Sequence, residues 1–306
     1  MKITSNNLIL SEFVKLARII FALLLSVAWV ITARPAGAQE KSLLWTVSDG
    51  KNSVQLLGSI HYLKKENFPL NKTIVDALDR NKRLVLEIDL NSAKPEVAQK
   101  VMLSKAIYQD GTTLQQNISA EAFELASKRA TQLGLDIKVL MPVKPWFVSI
   151  TLVAFRLQQL GFDSNLGVDS FLAARAKSNG TPVSGLETLE YQIGVMDELS
   201  KADQELLLRQ SVSDLDLLDE NIHAIVQAWL KGDANALEPL LLGSMKDYPA
   251  IQEKLIVERN RRWVPQIEKM LGEGGGVLVT VGAAHLIGKD GVVEMLKARG
   301  YKVEQN

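Results

Sequence analysis

The sequence predicts an α/β fold (α+β by some schemes), with a central mixed sheet and a large helical insertion. Three observations predict it. Two apolar segments of strand type each end in Gly-x-x-His: Val54–Leu57 runs into Gly58-Ser59-Ile60-His61, and Val277–Val281 runs into Gly282-Ala283-Ala284-His285. Each is followed by a loop, a helical pattern and a second strand, over Val75–Glu87 in one copy and Val292–Glu304 in the other. The two copies form pseudo-twofold halves, and between them, over about 92–272, the periodicity is mainly helical.

The first 38 residues stand apart from that fold. Lys2, Lys15 and Arg18 form a positive region, Ile19–Thr32 is a run of 14 uncharged residues, and Ala36-Gly37-Ala38 offers a small-residue cleavage site. This order is that of a secretory signal peptide, residues 1–38, cut after Ala38. The run is shorter than the ~20 apolar residues of a spanning helix; an uncleaved anchor is the alternative. Residues 39–306 are then expected to form one domain, periplasmic or secreted, with no stable membrane span after cleavage.

Within that domain, Leu43–Val47 and Val54–Leu57 flank a turn-rich cluster, Ser48–Ser53, and read as a hairpin. Lys72–Asn81 reads as a helix with Ile74, Val75 and Leu78 on one side. Arg83–Leu90 is a mostly apolar strand, of the type buried on both faces. Helices are expected over Pro95–Tyr108, Ala120–Leu133 and Trp146–Leu160. Another starts at Leu166-Gly167-Val168-Asp169, with Asp169 as a cap, and ends at Asn179-Gly180. Thr181–Glu187 is a short strand ending on an acid. Residues 203–230 and 234–271 read as long amphipathic helices, the second broken near Tyr248-Pro249. The chain closes with the Val277–Val281 strand, a Gly291–Arg299 helix and a Tyr301–Glu304 strand.

Composition narrows the chemistry. Residues 39–306 carry 31 basic and 34 acidic side chains, with no basic excess to grip a nucleic-acid backbone. The chain has no cysteine, which excludes a thiol nucleophile, a redox dithiol and a thiolate metal site. No Gly-x-Ser-x-Gly, Walker loop, Gly-x-Gly-x-x-Gly or His-Glu-x-x-His occurs. The sequence carries no signal for an oligomeric state.

Of the three histidines, His61 and His285 share one local frame. Adjacent strands lie ~5 Å apart, so side chains at neighbouring strand tips can reach one ion. Ligand sites in open α/β sheets sit at the carboxyl ends of strands, where both histidines fall. His223 lies in an ordinary helical pattern and reads as a surface residue. Glu87, between Leu86 and Ile88, is a carboxylate in a buried-type strand, costly unless paired or metal-bound; an arginine salt bridge competes with the metal reading. A gapless match of the two copies sets Glu87 opposite Glu304. Glu187 either faces the same site or caps the next helix. Arg259 and Arg262 share a helix face, usually a solvated one, while Asn260 between them points to a directed polar contact.

An ordered set of motifs carries a resemblance. It comprises Leu44-Trp45, Leu57-Gly58-Ser59-Ile60-His61, Leu86-Glu87-Ile88-Asp89, Lys144-Pro145-Trp146, Leu166-Gly167-Val168-Asp169, Gly185-Leu186-Glu187-Thr188, Glu258–Trp263 and Val281-Gly282-Ala283-Ala284-His285. Over nearly the whole of residues 39–306 the chain resembles the TraB/GumN family, related to the Tiki metalloproteases and more distantly to erythromycin-esterase-like and ChaN-like proteins. The resemblance implies a centre of His61, Glu87 and His285, with Arg259 and Asn260 close by. The expected function is a metal-dependent, peptidase-like hydrolase of the bacterial cell envelope, acting on a peptide or small-molecule substrate. His61 and His285 would bind a divalent ion, Mn, Co, Zn or Fe, with Glu87 as third ligand or general base. The ion would lower the pKa of bound water to ~7, Arg259 would stabilise an oxyanion, and Glu187 would join the catalytic group. Two rival expectations are a non-catalytic envelope protein that holds a ligand or metal at this centre, and a metal-free hydrolase with His61 as general base assisted by Glu87.

Overall fold

The computed structural model describes residues 41–89 and 95–306. The signal-peptide reading and its cleavage site after Ala38 lie outside the described residues. None of the described helices is long and apolar enough to cross a membrane.

The fold is the expected α/β one. Six strands, β1 (Leu44–Ser48), β2 (Ser53–Ser59), β3 (Arg83–Ile88), β4 (Val183–Glu187), β5 (Val277–Gly282) and β6 (Lys302–Gln305), form one sheet in the order β4-β3-β5-β2-β1-β6. The block β4-β3-β5-β2 is parallel, and β1 runs antiparallel to both of its neighbours. Leu56, Leu57, Leu84, Leu278 and Val279 lose essentially all solvent contact. Their near-continuous apolar runs are those of strands covered on both faces. The β1–β2 hairpin turns where Asp49 Oδ1 accepts from Lys51 N and Asn52 N, with Gly50 at φ +88°.

β2 and β5 are hydrogen-bonded neighbours in parallel register, Ser59 opposite Gly282. The two Gly-x-x-His segments therefore leave the sheet side by side at its carboxyl edge. From there β2 continues through α1 (Lys72–Arg80) to β3, and β5 through α10 (Val292–Ala298) to β6. The echo breaks at its end. The hairpin strand β1 stands between β2 and β6, so β6 pairs with β1 at the far edge of the sheet. Glu304, set opposite Glu87 by the gapless match, is exposed there.

The long middle section supplies α2 (Pro95–Ala106), α3 (Ala120–Gln132), α4 (Pro145–Gln159), α5 (Val168–Asn179), α6 (Leu189–Asp197), α7 (Lys201–Ser213), α8 (Leu218–Leu230) and α9 (Glu258–Glu273). The long helix expected over 203–230 is two helices joined by a 3-10 turn, Asp214–Asp216. The break has a packing cause. Leu208, Val212 and Leu215 face an apolar cluster inside the insertion, together with Ala126, Leu140 and Val148, whereas Ile222, Val226 and Trp229 face the sheet. The stretch over 234–271, expected to break near Tyr248-Pro249, does break there, and is divided into Ala234–Leu242, a 3-10 turn, the short Pro249–Gln252 helix, a π-turn at Glu253–Val257, and α9.

The start of α5 anchors the loop after β2. Val168 N donates to Ile60 O at 2.9 Å. A Cβ on Gly167 would lie 2.4 Å from the carbonyl oxygen of His61. That clash is with backbone, so Gly167→Ala must push the loop away. Overpacking of this kind costs roughly 1–3 kcal/mol, and urea unfolding of the variant is expected to show it as a lower midpoint at unchanged slope. An unchanged midpoint would mean the approach does not constrain the loop.

Candidate functional site

Three strand ends and one helix build the site. His61 follows β2, Glu87 lies near the end of β3, His285 sits in a single helical turn (Ala283–Leu286) after β5, and Arg259 and Asn260 are on the first turn of α9. Gly282 marks where they meet. A Cβ built there would lie 3.2 Å from Glu87 Oε1, 3.5 Å from His61 Nε2 and 3.7 Å from His285 Cδ2. The structure thus brings together His61, Glu87 and His285, separated in sequence by as many as 224 positions, along with Glu187, Arg259 and Asn260.

Arg259 is the hub. Its Nε–H group faces the Glu187 carboxylate, 3.1 Å from each oxygen. Nη1 donates to Leu255 O (3.2 Å) and to His285 Nε2 (3.0 Å), and Nη2 to Glu87 Oε2 (2.6 Å) and Glu187 Oε2 (2.8 Å). A guanidinium has five N–H groups, and all are engaged. Leu255 lies in the π-turn, a wider coil whose irregular backbone recurs at functional sites. The face shared by Arg259 and Arg262 is not uniformly solvated: Arg259 is buried, while the exposed Arg262 lies over the Tyr191 ring at 4.3 Å.

The remaining polar groups are nearly all satisfied. Glu87 Oε1 accepts from Gly282 N (2.8 Å), and Oε2 accepts from Gln192 Nε2 (2.8 Å) as well as Arg259. Burial disfavours its charge, yet His285, Arg259 and His61 around it, with the Gly282 N–H, hold its carboxyl well below the usual range. His285 Nδ1–H donates to Asn260 Oδ1 (2.7 Å), and the Asn260 amide donates on to Asp290 O (2.8 Å). With Nε2 accepting from Arg259, His285 is a neutral imidazole of fixed tautomer. Burial pushes its pKa down to about 3 against the field of Glu87. Trp263 packs on its ring, 4.4 Å between centroids.

His61 is the exception. Its Nδ1 meets Asp169 Oδ2 at 2.8 Å, its side chain is 59% exposed, and its Nε2 has no hydrogen-bond partner among the described residues. The Asp169 carboxylate beside it raises its pKa to about 9. Asp169 was expected to cap α5. Instead Gly167 holds the N-cap position without a side-chain bond, and Asp169, in the first turn, reaches His61. Sequence reasoning also missed Gln192. The signal for Asp169 was present in the Leu-Gly-Val-Asp motif, while nothing in sequence singles out Gln192. Glu187 does not cap α6; Thr188 does, accepting from Tyr191 N.

The expected metal centre meets a physical obstacle in this arrangement. The His285 Nε2 lone pair is directed at Arg259, and both Glu87 oxygens are held by donors. A guanidinium cation stands among the donors where an ion would need to sit, and like charges repel there. Among the described residues no group of three or more His, Asp or Glu side chains is placed to hold a metal ion. The residues as arranged do not fit the ion. Nor does Arg259 keep a free N–H for an oxyanion.

The site lies at the bottom of a cleft of about 570 Å³. Its walls are apolar: Trp146 and Ile150 from α4, Ile193 and Met196 from α6, Met102 from α2 and Ile225 from α8. Lys144 Nζ (2.5 Å) and Trp146 Nε1 (3.2 Å) both donate to Asp197 Oδ1, which ties the start of α4 to the end of α6. The Lys-Pro-Trp motif therefore clamps two walls of the cleft.

Two consequences are measurable. Arg259→Met leaves two buried carboxylates without their cation, and breaking buried pairs of this kind costs about 3–5 kcal/mol; unfolding in urea is expected to show a loss of that size, and a loss under 1 kcal/mol would contradict the hub role. The second concerns pH. His285 has a depressed folded-state pKa, so its contribution to stability is full above its unfolded value of 6.5 and is lost as pH falls from there towards about 3. Between pH 7 and pH 5 the loss from this group is ~2 kcal/mol. His285→Gln should flatten the wild-type slope over that interval; an identical slope in the variant would show that His285 is not held neutral by burial.

The sequence model of the TraB/PrgY/gumN family matches residues 43–305. YbaP of Escherichia coli (strain K12) is 24% identical over 249 residues, covering 81% of this chain and 89% of the relative. A protein of Treponema pallidum (strain Nichols) is 23% identical over 279 residues, covering 86% and 82%. No solved structure matches the chain. With the family match spanning the sheet, the insertion and every residue of the site, the chain belongs to the TraB/PrgY/gumN family.

Proposed function

We propose that the chain is a hydrolase of acyl bonds in the cell envelope, with His61 as the proton-transferring group and Asp169 as its orienting partner. One observation carries this reading: at a floor where the side chains of Arg259, His285 and Glu87 are mutually satisfied, the His61 ring presents to the cleft a side-chain nitrogen with no partner among the described residues. A carboxylate on Nδ1 fixes the tautomer that leaves Nε2 free to take a proton from water. The envelope location rests on the signal-like N-terminus.

In this mechanism neutral His61 accepts a proton from water as its oxygen bonds to the acyl carbon. The acyl bond to the leaving group breaks, and His61 returns the proton to that group. Arg259 holds the Glu87 and Glu187 carboxylates and His285 in place. The ionised Glu87, beyond Gly282, favours the positive charge that His61 acquires during the reaction. No step passes through a metal.

Positioned proton transfer contributes about 10²–10⁴-fold, and His61→Gln is expected to lose kcat/KM within that range while retaining the fold. Because Asp169 raises the His61 pKa to about 9, the neutral, base-competent fraction grows with pH, and kcat/KM should rise until that value. Asp169→Asn removes the largest cause of the shift and should move the rising limb down towards 6.5. The assay is hydrolysis of peptide and ester libraries from pH 5 to 10, with elemental analysis of the protein. Activity abolished by a chelator and restored by Mn, Co, Zn or Fe would overturn the metal-free mechanism. Absence of turnover on every substrate, with a ligand bound at the cleft, would favour a binding protein instead.

A further inference from the structure

We propose that the cleft takes a linear, uncharged acyl chain and presents its ester carbonyl to His61; this assignment rests on the hydrolase reading above.

The argument starts from charge. Among the cleft's lining residues the ionisable side chains besides Tyr62 are His61, Glu87, Arg259 and His285. Arg259 is matched by Glu87 and Glu187, His61 by Asp169, and His285 is neutral. No cation is left to pair with an anionic substrate group, and no exposed carboxylate to attract a cationic one. A charged group drawn into this cleft would lose its hydration without gaining a partner.

Hydrogen bonding then separates the uncharged candidates. The walls are helices α2, α4, α6 and α8, whose backbone groups are bonded within each helix. Of the side chains they turn to the cleft, Met102, Trp146, Ile150, Ile193, Met196 and Ile225 offer no free donor, since Trp146 Nε1 is held by Asp197, and the polar Gln192, at the floor, donates to Glu87. An extended peptide lying along these walls would leave its own N–H and C=O groups unpaired, at ~1–3 kcal/mol each. A hydrocarbon chain brings no such groups. It gains from burial, and the two unbranched methionines can adapt to its course. The cleft's 570 Å³ lies within the ~300–1,000 Å³ of small-molecule sites.

The partly exposed Ile150 stands on the same wall as the buried Trp146, one turn further along α4, so the apolar lining reaches solvent there and gives the chain a route inward. The carbonyl would then reach the polar floor at the sheet edge. Water's oxygen forms the new bond to the acyl carbon, the acyl C–O bond breaks, and the alcohol leaves with the proton that His61 took from water. The products are a carboxylic acid and an alcohol.

The test uses the full chain and two readouts. Binding of 2-decanone, an uncharged chain whose carbonyl carries no leaving group, is measured by calorimetry below its solubility limit, on wild type and on His61→Gln. Turnover is measured with p-nitrophenyl esters from acetyl to dodecanoyl. Binding should be retained in His61→Gln, and kcat/KM should rise roughly 2–4-fold per methylene, as burial of each CH₂ predicts. Ile150→Glu changes a partly exposed residue and should fold; together with Met196→Glu it should weaken 2-decanone binding at least tenfold and flatten the rise of kcat/KM with chain length. No 2-decanone binding in either protein, or faster turnover of an apolar peptide than of the dodecanoyl ester, would overturn the acyl-chain assignment. Binding of 2-decanone without turnover of any ester supports that assignment and overturns the hydrolase reading alone.

Discussion

The buried guanidinium of Arg259 is the constraint on which the rest of the site depends. It joins the end of β3 through Glu87, the end of β4 through Glu187, the turn after β5 through His285, and the π-turn through the Leu255 carbonyl. Two carboxylates around one cation leave the cluster negative, which suits a floor that must tolerate a protonated His61. An arginine is needed rather than a lysine. Its planar fork reaches several acceptors in fixed directions, whereas an ammonium offers three donors on a flexible stem. A buried network of this kind contributes less to net stability than to a single arrangement of the elements it joins, because each of its members is costly when left alone.

Much of the sheet was legible in the sequence because its signals are local. The β1–β2 hairpin follows from a turn cluster between apolar runs, and β3 and β5 from uninterrupted burial-type runs. The neighbouring placement of β2 and β5 followed from a longer-range feature, the repeated Gly-x-x-His. What the sequence could not show is which strand would stand beside β2 on its other side. Periodicity says nothing about pairing partners, so Glu304 was matched to Glu87 although β1 displaces β6 to the edge. The break near Tyr248-Pro249 was legible, because proline marks it, but the break within 203–230 was not. A continuous amphipathic pattern hides a change of partner, from the insertion's own cluster at Leu208 and Val212 to the sheet at Ile222 and Val226.

At the site, residue types were easier to read than their partners. Glu87 in an apolar strand announced a paired carboxylate, and the arginine reading of that pairing describes the geometry. Asn260, unfavourable within a helix, has both ends of its amide bonded to neighbouring elements. Asp169 was harder. An acid in the first helical turn is favourable by itself through the helix dipole, so a local explanation sufficed and the distant His61 was not needed to account for it. Gln192 lies in the middle of an ordinary helix, and its bond to Glu87 is purely a product of tertiary packing.

The two histidines show how far identical local frames can diverge. Each follows a parallel strand by way of Gly-x-x-His, and each lies near the same glycine, Gly282. Yet His285 turns inward, where Trp263 covers its ring, Asn260 fixes its proton and Arg259 faces its lone pair, so the neutral form prevails. His61 faces the cleft with a carboxylate on its inner nitrogen, so the charged form is favoured. The difference comes entirely from what the insertion brings to each strand end: α9 delivers a cation to one, and α5 an anion to the other. A ring whose proton is fixed and whose lone pair is occupied is suited to structure, while a ring oriented from behind and open in front is suited to moving protons. The division of labour between two matching motifs is thus set by the charge of the helix end facing each.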